Sequence, residues 1–261
     1  MSEDPVPLRR LLPEPGTVTA IDALDGLGLG DLAPEHRPYV VLNMVATADG
    51  AATVTGRTAP ISNAADRQMF HELRAQVDAV LVGAGTVRTE RYGRLVRDPH
   101  RRERRTARGL APDPLAVVVS RGLTLSPDLP LLADPHSRVL VVTASDAVLH
   151  GCAAQVSYLR ATQGQPVDLA GMLTQLRTEH GVRSVLCEGG PTLNASLLPA
   201  GLIDELFLAI APALAGSAGS LTVMDRALLA EPVGLDLVWL LESEGQLFAR
   251  YALRHRPQRG R

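Results

Sequence analysis

Glu188, Gly189 and Gly190 are the residues whose types and spacing most directly suggest chemistry. They follow a short apolar run, Val182, Val185 and Leu186, and precede Pro191, which suits the first turn of a helix. Glycines at a strand-to-helix corner remove the side chains that would keep a ligand away from the backbone. The N–H groups at a helix start carry partial positive charge and bind phosphate oxygens. Residues 182–198 therefore read as a cradle for a pyrophosphate, formed by Gly189, Gly190, Pro191, Thr192 and Leu193. Taken alone, the same Glu-Gly-Gly is equally an ordinary strand-to-helix turn.

An earlier segment, residues 78–93, repeats the logic. An apolar strand pattern from Ala79 to Val82 meets Gly83 and Gly85 on either side of a small residue, and Thr86 places a hydroxyl at a helix start. Neither segment has the spaced glycine triplet and distal acidic residue of the Rossmann fingerprint. Two such corners suggest a dinucleotide held across one sheet edge. A third corner ends a strand at Ser120 and Arg121. A hydroxyl beside a guanidinium suits the ribose phosphate that distinguishes NADP from NAD, because arginine pairs with phosphate bidentately. A surface turn is the alternative there. Residues 94–114 carry a run of arginines, which reads as a solvated loop by default and, functionally, as a grip on a substrate phosphate.

These corners need a sheet to carry them. Strands are expected near 40–45, 79–82, 116–119, 139–142 and 182–187, separated by helical stretches, an alternation that argues for an α/β fold. One helix follows Ser62, with Asn63 and Asp66 as capping candidates and Ala65, Met69 and Leu73 on one face. Another spans 168–180, with Leu169, Met172, Leu173 and Leu176 in a stripe and Gly181 as its stop. Strands at 204–211, 238–241 and 247–253 follow; no helix separates the last two and a hairpin at 242–245 joins them, so a mixed sheet is expected. Residues 1–37, rich in proline and glycine, are expected to be an extended segment with at most a short helix, lying over the domain or partly mobile.

Composition narrows the function classes. At 261 residues the chain can bury a substantial core, and a formal charge of −2 gives no general attraction to nucleic acid or an anionic membrane. The chain contains no lysine, which excludes Schiff-base and lysine-base chemistry. Cys152 and Cys187 lack metal-like spacing, so reduced thiols and no metal site are expected. No secretory leader pattern and no long apolar span occur, and a cytoplasmic enzyme is expected.

Four segments taken together, at 43–57, 61–87, 185–198 and 203–217, resemble the reductase domain of the riboflavin-biosynthesis deaminase-reductases, itself similar to dihydrofolate reductase. The resemblance runs from about residue 38 to 253 and is nearest to the stand-alone reductase form. It implies a three-layer α/β fold of the dihydrofolate reductase type, a mostly parallel but mixed central sheet flanked by helices. The implied division is an extension at 1–37, a reductase domain at 38–255 and a basic tail at 256–261. The deaminase's zinc signature, His-x-Glu with Pro-Cys-x-x-Cys, is absent from this sequence, so that zinc chemistry is not expected here.

The resemblance also implies roles. Asn43 falls where the family places a polar side chain at the reacting centre, with a strand asparagine bonded to backbone as the plain alternative. Asp49 and Gly50 fall in a turn that relatives share, and a turn role is expected for both. Thr58, Arg74 and Arg97 fall at substrate contacts; Val45, Pro60, Ile61, Thr86 and Glu90 fall at cofactor contacts, with Pro60 and Ile61 against the nicotinamide. Glu188 is expected to accept hydrogen bonds from the amino groups of a pyrimidine or pterin ring, or, structurally, to satisfy N–H groups of the helix that follows. The implied reaction is NADPH-dependent reduction of 5-amino-6-(5-phosphoribosylamino)uracil, with hydride delivered to ribose C1, by a homodimer in which residues 203–216 form a strand buried in the core or at a subunit contact. A pterin or dihydrofolate reductase and a non-catalytic NADP-binding dimer are the alternatives.

Overall fold

Val40, Leu42, Val80, Leu81, Val117 and Val141 are each almost completely withdrawn from solvent, on strands whose alternate side chains face opposite directions. Strands buried on both faces require cover on both faces, and helices supply it. The computed structural model describes residues 4–162, 165–216, 221–224, 229 and 231–254.

In chain order, β1 (Leu8–Leu12), β2 (Gly16–Val18) and α1 (Ala20–Leu24) precede a 3-10 turn at Leu29–Leu32 and β3 (Tyr39–Thr47). A second 3-10 turn (Ala59–Ile61), α2 (Ala64–Arg74), β4 (Ala79–Gly83), α3 (Ala84–Thr89) and α4 (Pro99–Ala107) come next. Then follow β5 (Leu115–Val119), β6 (Arg138–Thr143), β7 (Gln155–Arg160), α5 (Leu169–Thr178), β8 (Ser184–Cys187) and α6 (Pro191–Leu197). β9 (Glu205–Ala211), β10 (Leu235–Ser243) and β11 (Gln246–Leu253) complete the described part.

One sheet of 11 strands runs in the order β2-β1-β10-β11-β9-β3-β8-β4-β5-β6-β7. The run from β9 to β7 is parallel, and β11, β10, β1 and β2 add antiparallel pairs. This is the mixed, mostly parallel α/β sheet expected. One core lies on the α2 face, with Ala65, Met69 and Leu73 against Val41, Val80 and Val82. The other lies under α5 and α6, where Met172, Leu173 and Leu197 meet Leu42, Leu81 and Val185. Because β8, β4 and β5 are parallel neighbours, the corners after them open side by side at the same edge.

Three features depart from the sequence expectations, and a fourth decides between two alternatives left open. The proline-rich start is built into the fold: β1 pairs with β10, Leu8 and Leu24 are core residues, and Thr19 and Asp22 form a capping box on α1. The strand β7 lies beyond β6 where no strand is expected. Residues 203–216 supply β9, which is hydrogen-bonded on both edges, to β11 and β3, so it serves the core. The arginine run at 94–114 is not a solvated loop. It folds into α4, started by the Asp98 side chain accepting from His100 N–H with Pro99 in the first turn, and its Arg105 is 0% exposed. Arg101, Arg104 and Arg105 find carboxylate and carbonyl partners on and just beyond α2, which offsets the cost of withdrawing them from water. The basic tail at 256–261 lies outside the described residues.

Candidate active site

At the open edge of β3, β8 and β4 lies a cleft of about 940 Å³. Its floor is an ion pair. α2 is started by Asn63, whose side chain accepts from Asp66 N–H, and its apolar stripe fixes its rotation on the sheet. That rotation leaves Arg74, in the last turn, buried beneath the cleft. Glu188, the first residue after β8, meets it bidentately: Arg74 Nε donates to Oε1 at 2.7 Å and Nη2 donates to Oε2 at 2.8 Å. Tyr92 Oη donates to the same Oε2 at 2.7 Å, and Arg74 Nη1 reaches the Leu95 carbonyl at 3.3 Å. The Arg74 guanidinium carbon sits 4.1 Å from the Phe70 ring centre and 5.1 Å from that of Tyr92. Burial pulls Arg74 down, but the Glu188 charge and hydrogen bonds outweigh it and hold the guanidinium above its ordinary value. Burial and the neighbouring carboxylate push the Tyr92 phenol well above 10, so it remains a protonated donor.

Glu188 lines the cleft, but its carboxylate already has partners inside the protein. It neither caps the following helix nor stands free to read a ring by itself. Tyr92 and Phe70 escaped the sequence reading. The spacing of Phe70 and Arg74, four apart on one helix, was the available signal for the first. No comparable signal marks Tyr92, which arrives through the chain reversal after α3, where Arg91 takes φ +47° and Tyr92 N–H bonds the Val87 carbonyl.

The glycine corners meet at the lip. Gly83 N–H donates to the Gly189 carbonyl at 2.7 Å, and a Cβ at Gly83 would lie 3.5 Å from Gly190 N. A Cβ at Gly190 would meet Thr86 Oγ1 at 2.9 Å, and Gly189 has φ +80°, a conformation that favours glycine. α3 and α6 begin at Gly83 and Gly190 as N-caps, so no side chain caps the first turn of either helix. Thr58 and Glu90, expected on the substrate and cofactor sides respectively, bond each other: Thr58 N–H and Oγ1 donate to Glu90 Oε1 at 3.1 and 3.2 Å.

The remaining expected residues fall at three levels. Asn43, Val45, Thr86 and Arg97 line the cleft, with Arg97 exposed at its mouth. Pro60, Gly85 and Thr192 are exposed and Pro191 partly so, none of them lining the cleft, whereas the Ile61 and Leu193 side chains are buried in the protein, leaving Leu193 only its main chain for a ligand. Ser120 is also buried; its hydroxyl accepts from Thr124 N–H at 3.0 Å and shapes the turn after β5. Arg121 beside it is exposed, with its carbonyl tied to Ala144 N–H and Thr143 Oγ1. Asp49 holds a turn: its carboxylate accepts from Thr47 Oγ1 and from the N–H groups of Ala215 and Gly216, which lower its pKa to about 2.

The cleft is cationic at its mouth and uncharged at one wall. His71 lines it, and burial, reinforced by Arg74, Arg101, Arg97 and Arg67, lowers its imidazole to about 4. It is therefore neutral near pH 7 and can donate or accept one hydrogen bond. No group of histidine, cysteine and carboxylate side chains suited to a metal ion occurs among the described residues.

A family model described as the RibD C-terminal domain matches residues 38–242. A protein of Methanothermobacter thermautotrophicus named 2,5-diamino-6-ribosylamino-4(3H)-pyrimidinone 5′-phosphate reductase is 34% identical over 196 residues, covering 72% of this chain and 84% of that protein. The riboflavin biosynthesis protein RibD of Mycobacterium tuberculosis is 33% identical over 190 residues, which cover 72% of this chain but only 45% of that longer protein. Among solved structures, a pyrimidine reductase-like protein of Corynebacterium diphtheriae superposes with a TM-score of 0.73 at 23% identity, covering 91% of this chain and 99% of that one, a likeness of fold.

Proposed function

The chain belongs to the RibD C-terminal domain family, and from that premise we propose that it is an oxidoreductase of riboflavin biosynthesis, reducing a 6-(5-phosphoribosylamino)pyrimidine with NADPH. The observation that carries this reading is the juxtaposition of glycine corners and ion pair. Three strand-end corners share one sheet edge, and the two glycine corners reach, through Thr86 and Glu188, a cleft whose floor offers a fixed, buried Arg74–Glu188–Tyr92 cluster.

A dinucleotide suits these corners because a Cβ at Gly190 would fill the space against Thr86, and because the helix starts at Gly83 and Gly190 leave their first turns without a side-chain cap. Gly83, Gly85, Gly189, Gly190, Thr192 and the Leu193 main chain would hold the pyrophosphate, with Thr86, Glu90, Val45 and Pro60 around the remainder. When bound, the cofactor supplies the hydride. On the substrate side, Arg97 takes the phosphate, and Thr58 and Asn43 orient the sugar beside the cofactor. Arg74 and Glu188 cancel each other's charge, so the floor presents polarity without net charge to a neutral ring. Opening of the ribosylamine leaves an imine carbon at C1, and its reduction yields the ribitylamino product. We also take the active form to be a homodimer, supported by Leu235, Leu237 and Val238, which β10 leaves exposed.

The reading is tested by following NADPH oxidation with 5-amino-6-(5-phosphoribosylamino)uracil, its 2,5-diaminopyrimidinone counterpart and dihydrofolate. Turnover of either pyrimidine and none of dihydrofolate is expected; turnover of dihydrofolate alone would overturn the reading. NADPH preference is assigned to the exposed Arg121 beside the turn that Ser120 builds. Arg121→Ala should weaken NADPH by about 1.5–3 kcal/mol and leave NADH nearly unchanged. Equal affinity of the unmutated protein for the two cofactors would contradict that assignment.

A further inference from the structure

α2 ends at Arg74, the residue that carries the cleft floor, and the end of a helix leaves carbonyls without intrahelical partners. The Ala75 and Gln76 N–H groups meet those of Glu72 and Leu73, and that of Arg74 is met by a buried side chain from elsewhere in the chain, which also takes the carbonyl of Val77 just beyond the helix. Arg105 Nη1 donates to the main-chain carbonyl of Arg74 at 2.8 Å and to that of Val77 at 2.7 Å, while Nε donates to the Ala111 carbonyl at 2.8 Å. Arg105 is wholly withdrawn from solvent and is not among the residues lining the cleft. Its neighbours on α4 grip the same turn through its side chain: Arg101 and Arg104 donate to the two oxygens of buried Glu72 at 2.7 and 2.6 Å.

A buried guanidinium bonded to carbonyls alone is costly compared with an apolar side chain of similar volume. What it provides that methionine or leucine cannot is directional donation to the helix end, where a cation is also favoured by the helix dipole. Burial lowers the guanidinium to about 10, which leaves it charged at neutral pH. Nη2 of Arg105 is buried with no hydrogen-bond partner among the described residues, so two of its three nitrogens make all its bonds.

We propose that Arg105 is a positioning residue for the substrate side of the site: by closing the carbonyl end of α2 it sets where Arg74 presents its guanidinium to Glu188. It acts through Arg74 and touches no ligand. The kinetic part of this inference rests on the function proposed above; the structural part does not.

The test compares Arg105→Met, Arg105→Lys and, on the surface next to α4, Arg108→Ala, in the full chain. Hydrogen exchange of the Arg74 Nε–H, read by nitrogen-15 NMR and assigned with Arg74→Lys, reports the Arg74–Glu188 geometry without any ligand. In Arg105→Met that exchange should quicken by roughly tenfold or more. The KM for the pyrimidine should rise by about tenfold or more, with the KM for NADPH changed by less than about twofold. Lysine can serve the two carbonyls that share Nη1, so Arg105→Lys should return both readouts to within about threefold of wild type. Arg108→Ala should leave both at wild-type values.

Wild-type exchange in folded Arg105→Met, or pyrimidine and NADPH KM values that rise together, would overturn the proposal. So would Arg105→Lys that is no better than Arg105→Met. If Arg105→Met does not fold, Arg105→Lys decides by the exchange readout: retained protection supports the proposal, and protection lost by about tenfold overturns it. A wild-type protein that turns over neither pyrimidine overturns the functional reading, while the exchange measurement still judges Arg105.

Discussion

Glu188→Gln is expected to destabilise the fold by roughly 3–5 kcal/mol, because it strands the Arg74 guanidinium as an uncompensated charge in a buried site. Arg74→Met should cost a similar amount by stranding the carboxylate. Arg74 gives both its Nε and Nη2 to Glu188, Tyr92 donates to the same carboxylate, and among the described residues no other carboxylate is paired with Arg74 to take over. Replacing both partners with apolar residues, Arg74→Met with Glu188→Leu, should be much less damaging than the sum of the single changes, since well-packed apolar groups often substitute for a buried pair at little cost. That double variant should nonetheless lose pyrimidine turnover. Urea denaturation of the single and double variants measures the coupling. Single variants that each cost less than about 1 kcal/mol, or strictly additive effects, would show that the pair does not hold the floor. In Glu188→Gln protein that remains folded, NADPH affinity should stay within a few-fold of wild type while pyrimidine binding falls.

Gly190→Val is expected to have the opposite profile, weakening NADPH on the order of a hundredfold with little change in thermal stability. Gly190 has φ −74°, which valine tolerates, and the atom a Cβ would meet at 2.9 Å is the rotatable Thr86 hydroxyl. The protein can accommodate the added carbon by turning that side chain. A pyrophosphate seated against the two helix starts could not, because the isopropyl group would occupy the approach to the backbone N–H groups. Fluorescence titration of NADPH with a parallel melting curve checks this. Affinity retained within about threefold would remove Gly190 from the cofactor cradle.

The parts of this fold that were legible in the sequence are those whose cause is local. The inner strands β4, β5, β6 and β8 are buried on both faces, so each appears as an apolar run, and α2 and α5 show their apolar stripes, α2 with its cap at Asn63. The glycine corners were legible for the same reason, since backbone approach is written in the glycines themselves. What was not legible depends on partners far away in the chain. β1 is a strand because β10 pairs with it, with Arg9 opposite Glu242. α4 looks like a charged, solvated stretch until Glu72 and the carbonyls of Arg74 and Val77 are seen to receive its arginines. Arg74 and Glu188 were each expected at a site from their own segments, but their pairing, 114 residues apart, follows only from the placement of α2 against β8.

Isotope transfer shows whether hydride passes to the sugar carbon of a phosphoribosylaminopyrimidine bound over the Arg74–Glu188 floor. The enzyme would be incubated with 5-amino-6-(5-phosphoribosylamino)uracil and NADPH deuterated in turn at each face of the nicotinamide C4, and the product examined by mass spectrometry and proton NMR. One deuterium at C1 of the ribityl chain, delivered from one face only, is the expected result. A pyrimidine product without deuterium at that carbon, or NADPH consumption with no pyrimidine product, would contradict the account.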